Sequence, residues 1–133
     1  MAITLGAVHH ITLTVTDVHR SKDFYTSILG LGVLADWGER ILMGNGNIVV
    51  AVTLPVDKSQ ALPNDNFSEH RCGLDHVSFA MPDLAALEEA VRVFDEKGVS
   101  HGEIRDLSAN GVPIYVLAFR DPDNIQLEFT APK

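Results

Sequence analysis

Two segments of this chain, His9 to Tyr25 (HHITLTVTDVHRSKDFY) and Asp75 to Val91 (DHVSFAMPDLAALEEAV), repeat one pattern and thereby restrict the fold to something built twice. Each carries a histidine seven residues ahead of an aspartate, with alternating apolar residues between, and His10 and His76 stand 66 positions apart in a chain of 133. The alternation reads as a strand in each copy. Ile11, Leu13 and Val15 share one face against His10, Thr12 and Thr14, and Val77 and Phe79 share one face against His76, Ser78 and Ala80.

Asp17 and Asp83 stand where a helix needs a short carboxylate to accept its first free amides, so a helix is expected after each strand. Phe24, Tyr25, Ile28 and Leu29 form an apolar stripe ended by Gly30, and Leu84, Leu87, Val91 and Phe94 form another ended by Gly98. Three strand-like runs follow in each half: 33–37, 40–43 and 47–54, then 102–106, 112–119 and 125–130. Asn45-Gly46, Asn110-Gly111 and Asp121-Pro122-Asp123-Asn124 supply the turns. The expected class is α+β: one domain over 1–133, with a βαβββ module at 6–54, a connector at 55–73 and a second module at 74–131.

Each such module covers one sheet face with its helix and leaves the other open, so a pair can enclose a cavity. Counting by two along the last run puts Ile125, Leu127 and Phe129 on the apolar face and sends Gln126, Glu128 and Thr130 to the open one. His10, His76 and Glu128 then form a candidate facial triad. Two neutral imidazoles and one carboxylate suit a single divalent ion, Fe2+, Mn2+, Ni2+ or Zn2+, with positions left for substrate oxygens. Thr12, Thr14, Ser78 and Gln126 share that face and are candidates for orienting substrate or the histidines. His9 is expected on the opposite face. His19, His70 and His101 read as solvated surface, as do Glu88, Glu89, Asp95 and Glu96 on the wet side of the second helix. Trp37, Arg40 and Tyr115 are candidates for the pocket or for ordinary packing.

The formal charge of −8 repels phosphate backbones and anionic lipid surfaces, which disfavours nucleic acid and membrane as partners. No run of apolar residues is long enough to span a bilayer, and the start MAITLGAV has no basic leader. The one cysteine, Cys72, has no partner for an internal disulfide, so packing must hold the fold and a reducing cytoplasm is the expected setting.

The motifs His10 to Asp17 (HITLTVTD), Asp75 to Asp83 (DHVSFAMPD) and Asp121 to Glu128 (DPDNIQLE) together resemble the glyoxalase, bleomycin-resistance and extradiol-dioxygenase superfamily, whose scaffold is called vicinal oxygen chelate. The resemblance runs from about residue 6 to residue 131. It implies curved mixed sheets around a cavity with helices outside, metal ligands at His10, His76 and Glu128, and a metal-dependent enzyme acting on a small molecule with neighbouring oxygens. It also implies that Ile114, Val116 and Ala118 line the pocket. A homodimer is the assembly it suggests.

The chain departs from individual branches of that family. Aligning Asn47-Ile48 with Asn124-Ile125 puts Ala51 where Glu128 stands in the second half, so the first-module carboxylate usual in glyoxalase I enzymes is missing. Ala118 occupies the position where extradiol dioxygenases carry a tyrosine, and residues 109–111 lack their histidine. Thr12 matches the fosfomycin-modifying transferases, but the basic residues those enzymes carry after the final glutamate are absent here. Lyase or isomerase chemistry of the glyoxalase kind ranks just above ring-cleaving dioxygenation, with no general base identified. The alternative is a bleomycin-resistance-type protein that sequesters a drug or metabolite without catalysis.

Overall fold

A computed structural model describes residues 1–133 and divides into two compact units, Met1–Asp65 and Asn66–Lys133. Each unit contains one helix and one four-stranded mixed sheet, the α+β arrangement that the repeated sequence pattern predicts.

The first unit runs β1 (Ile11–Thr14), α1 (Val18–Ser27), β2 (Gly32–Asp36), β3 (Arg40–Gly44) and β4 (Val49–Thr53), with sheet order β1-β4-β3-β2. β1 pairs in parallel with β4, and the other pairings are antiparallel. Asp17 caps α1 as expected, accepting from the amides of His19 and Arg20 at 3.0 and 3.1 Å. The regular helix stops at Ser27, and the reversal into β2 uses Gly30 at φ 71°, a left-handed conformation that glycine adopts at little cost. Asn45 shapes the β3–β4 hairpin by accepting from the amides of Asn47 and Ile48. The helix lies against β3 and β4, where Phe24, Tyr25, Ile41, Met43, Val50 and Val52 are all buried.

The second unit repeats the order with β5 (Val77–Ala80), α2 (Leu84–Lys97), β6 (Arg105–Asp106), β7 (Ile114–Arg120) and β8 (Gln126–Pro132), in sheet order β5-β8-β7-β6. Asp83 accepts from the amide of Ala86, and Gly98 ends the helix at φ 69°. α2 packs on β7 and β8 through an aromatic cluster: the ring centroids of Phe94 and Phe119 lie 4.7 Å apart, and those of Phe119 and Phe129 4.6 Å apart. In the β7–β8 turn Asp121 accepts from the amides of Asp123 and Ile125, and Asn124 takes a positive φ of 64°. The expected strand at 102–106 shrinks to two residues. Its ladder against β7 is interrupted after the isolated bridge of His101 with Phe119 and resumes at Arg105.

The backbone register relates the halves residue by residue. Thr12 lies opposite Ala51 in β4 as Ser78 lies opposite Glu128 in β8, which confirms Ala51 as the counterpart of Glu128.

Candidate metal-ligating site

β8 alternates strictly. Leu127, Phe129 and Ala131 are buried on the helix side, while Gln126, Glu128 and Thr130 are half-buried on the open face. Cross-strand pairing places Val116 beside Thr130 and Ala118 beside Glu128, on the Glu128 face as the sequence reading expects, and adds Arg120 beside Gln126 to that face. Tyr115 pairs with Ala131 and therefore lies on the opposite face, which removes it from the pocket candidates. Its ring sits instead beneath the ammonium of Lys133, 5.7 Å from the centroid. In the first unit Thr12 and Thr14 share a face with Ala51 and Thr53, and Arg40 pairs with Thr53 on that same face. Trp37 lies beyond the end of β2 and is exposed.

His76 and Glu128 meet within the second unit, with His76 Nε2 3.6 Å from Glu128 Oε1. The other ring nitrogen is occupied. His76 Nδ1 lies 2.7 Å from Asp75 Oδ1, and a carboxylate can only accept, so Nδ1 carries a proton and donates it to Asp75. Glu128 is held from its own side: Thr130 Oγ1 donates to Oε1 at 3.2 Å, and Ser78 then donates to Thr130, because the threonine hydroxyl has one hydrogen to give. Ser78, Thr130 and Glu128 thus form one directed chain ending on the carboxylate.

Two of the three candidate donors, His76 Nε2 and Glu128 Oε1, are spaced as two ligands of one divalent ion would be. Ligand bonds of about 2.0–2.2 Å put neighbouring ligand atoms about 3.0–3.5 Å apart, close to the observed spacing of His76 and Glu128. Asp75 behind His76 adds the carboxylate that commonly orients a metal-binding imidazole.

His10 belongs to the first unit, one position ahead of β1, and its Nδ1 meets the Nδ1 of His9 at 2.8 Å. His9 was expected to point away from His10. Both residues precede the first laddered residue, Ile11, so strand alternation is not imposed on them and the rings turn edge to face. In each half, then, the residue immediately before the candidate ligand engages its Nδ1. No cluster of three His, Cys, Asp or Glu side chains with metal-site spacing forms in the structure, which brings two of the three candidates together.

Behind His76 lies Gln126, expected as a residue that orients substrate or the histidines, together with Asp75, Arg120 and Glu69, which the sequence reading did not single out. Gln126 donates to Asp75 through both its backbone carbonyl (3.1 Å) and its Oδ1 (2.8 Å), and Arg120 donates to Gln126 Oε1 at 3.3 Å. Arg120 also makes a two-pronged pair with Glu69, at 2.8 and 3.0 Å, which holds the Glu69 carboxyl at a pKa of about 2. Asp75 adjoins His76 in sequence and was legible as a partner; nothing in the connector marks Glu69.

His101, expected as solvated surface, has a side chain only 17% exposed. Its Nδ1 faces the Gly102 carbonyl at 2.7 Å and its Nε2 faces Asp95 at 2.8 Å, while its ring lies near Phe94. His19, His70, Glu88 and Glu89 are exposed as expected, and so is Cys72.

Comparison with known proteins agrees with this architecture. The model of the Glyoxalase/Bleomycin resistance protein/Dioxygenase superfamily matches residues 7–129. The chain belongs to this superfamily. A glyoxalase-superfamily domain from Frankia sp. EAN1pec, described as a glyoxylase/bleomycin resistance protein/dioxygenase domain, shares 28% identity at a TM-score of 0.76, over 98% of this chain and 94% of that one. The lactoylglutathione lyase of Agrobacterium tumefaciens shares the superfamily fold at a TM-score of 0.74 and 22% identity, over 96% and 94% of the two chains. Uncharacterized protein YwkD of Bacillus subtilis (strain 168) is 28% identical over 131 residues, covering 93% of this chain and 95% of its own. Superfamily members commonly bind divalent metals and act on small molecules. No helix of the chain is long and apolar enough to cross a membrane.

Proposed function

We propose that this chain is a divalent-metal enzyme of the glyoxalase superfamily, with His10, His76 and Glu128 as ligands and a small molecule bearing two neighbouring oxygens as substrate. One observation carries the reading: His76 holds Nε2 3.6 Å from Glu128 Oε1 while Asp75 occupies its other nitrogen. Bound by these residues, Fe2+, Mn2+, Ni2+ or Zn2+ supplies Lewis acidity toward the oxygens of the substrate. Thr12 and Thr14 offer hydroxyl groups on the ligand face of their sheet and orient the substrate, while Ser78 steadies Glu128 through Thr130 and Gln126 steadies His76 through Asp75. Val116 and Ala118 contribute an apolar wall that excludes water. Chemistry of the lyase or isomerase kind ranks ahead of ring cleavage, because Ala118 supplies no phenol beside Glu128. We assign the protein to the cytoplasm, as one domain that pairs into a homodimer.

A second reading, sequestration of a drug or metabolite, is favoured by Ala51 and Leu42, which put aliphatic side chains at the first-unit counterparts of Glu128 and Ala118. Elemental analysis separates the two. Stoichiometric metal in purified protein, lost in His76→Ala, is the expected result; metal-free protein that still binds an aromatic drug selects sequestration.

A further inference from the structure

We infer that Asp75, anchored through Gln126 to the Glu69–Arg120 ion pair, is the positioning residue that locks His76 with Nδ1 protonated and Nε2 free to bind. The inference rests on the ligand role proposed for His76, and its geometry lies wholly within the second unit.

Side-chain exposure alone gives Asp75 no reason to hold one place, since 64% of it is open to solvent. The hydrogen bonds do. Both contacts of Gln126 Nε2 go to oxygens of Asp75, and its Oε1 faces the Arg120 guanidinium. That arrangement fixes the amide one way round: a flipped Gln126 would set its oxygen against two acceptors and its NH2 against a cation. Arg120 in turn spends Nη1 on Glu69 and on the Asn124 carbonyl, and Nη2 on Glu69 and Gln126. The Glu69–Arg120 pair is only one-fifth to one-quarter exposed, so it is a firmer anchor than a surface ion pair.

Glu69 reaches Arg120 because the strap leading to β5 is itself tied to the β7–β8 turn. The Phe67 amide donates to the Asp123 carbonyl at 2.9 Å, and Asn124 Nδ2 donates to the Phe67 carbonyl at 3.0 Å. A segment without regular structure thereby becomes part of the site. Donors run in one direction, from Arg120 to Gln126 to Asp75, and Asp75 Oδ1 is left as an oriented acceptor for His76. Isolated histidine prefers its proton on Nε2, so the network must reverse that preference for the ligand nitrogen to be ready.

The test uses full-length metal-free protein labelled with 15N in histidine, with the His76 ring signals assigned by their loss in His76→Gln. Wild type is expected to show a protonated Nδ1 and an unprotonated Nε2. Asp75→Ala shifts the ring to the Nε2-protonated form, Gln126→Leu moves it part of the way, and Asp75→Asn, which keeps an acceptor oxygen, retains the wild-type form. Titration with Zn2+ should show about 10- to 100-fold weaker binding in Asp75→Ala. Unchanged ring nitrogen shifts in Asp75→Ala would overturn the inference, as would Zn2+ affinity equal to that of wild type. Wild type with the expected tautomer, altered by Asp75→Ala, but with no Zn2+ binding, upholds the positioning of the ring and removes the metal reading instead.

Discussion

Replacing Glu128 by glutamine should stabilise the metal-free protein and destabilise it relative to wild type once metal is supplied. The Glu128 side chain is 18% exposed, and it accepts one hydrogen bond, from Thr130 at 3.2 Å. An ionised carboxylate has about four acceptor positions, and the hydrogen bond from Thr130 fills one of them. Glu128→Gln keeps the shape and an oxygen for Thr130 while removing the charge. Relief of a site held for function rather than for the fold commonly gains about 0.5–2 kcal/mol, which at this chain length corresponds to a rise in Tm of about 2–7 °C. With Zn2+ at about 100 times its Kd, wild type gains about 2.7 kcal/mol, and the variant, lacking a charged ligand, does not follow. The order of stability therefore inverts. Urea denaturation of both proteins at about pH 8, where free imidazole is neutral, in chelator and in Zn2+, reads the effect directly. A variant less stable than wild type in chelator would show that the carboxylate serves the fold, and equal responses to Zn2+ would show that it serves no ion.

Two further outcomes follow from the surroundings of the helices. Both ring nitrogens of His101 face acceptors, Asp95 first and the Gly102 carbonyl second, and these raise its pKa above the ordinary imidazole value. Its contribution to stability is therefore complete below the unfolded-state pKa and lost as pH rises through the higher folded value; Asp95→Asn should lower the His101 pKa in an NMR titration and flatten that part of the stability profile. Ser21 Oγ is buried under α1 without a hydrogen-bond partner, so Ser21→Ala should stabilise by about 1 kcal/mol in urea denaturation, and a loss of stability would reveal a bond to the hydroxyl.

Most of the fold was legible because its signals are local. Asp17 and Asp83 cap the helices they precede, and Asn45 and Asp121 close turns through amides two to four residues away, contacts that spacing alone can foresee. The phase of β8 was equally plain, since Leu127 and Phe129 commit one face to the aromatic cluster and leave Glu128 on the other. What escaped depends on residues far apart in sequence. Gln126 meets Asp75, and Arg120 meets Glu69, across 51 positions each, and the partner of a surface-type residue is not encoded in periodicity. His9 escaped for another reason: period-two counting was extended past the end of the ladder, where no neighbouring strand enforces it. The same boundary error hid the environment of His101, whose neighbours come from α2 and from the break before β6.

The matched register of the halves has an evolutionary consequence. Ala51 and Glu128 occupy equivalent rungs, each across from a small hydroxyl residue, although one is a methyl group and the other an acid. A duplicated frame that keeps its rungs in step while their side chains diverge lets a lineage add or delete a donor atom by one substitution, with no remodelling of the backbone. Chemical versatility on such a frame resides in single positions, and Ala51 is where this chain records its own choice.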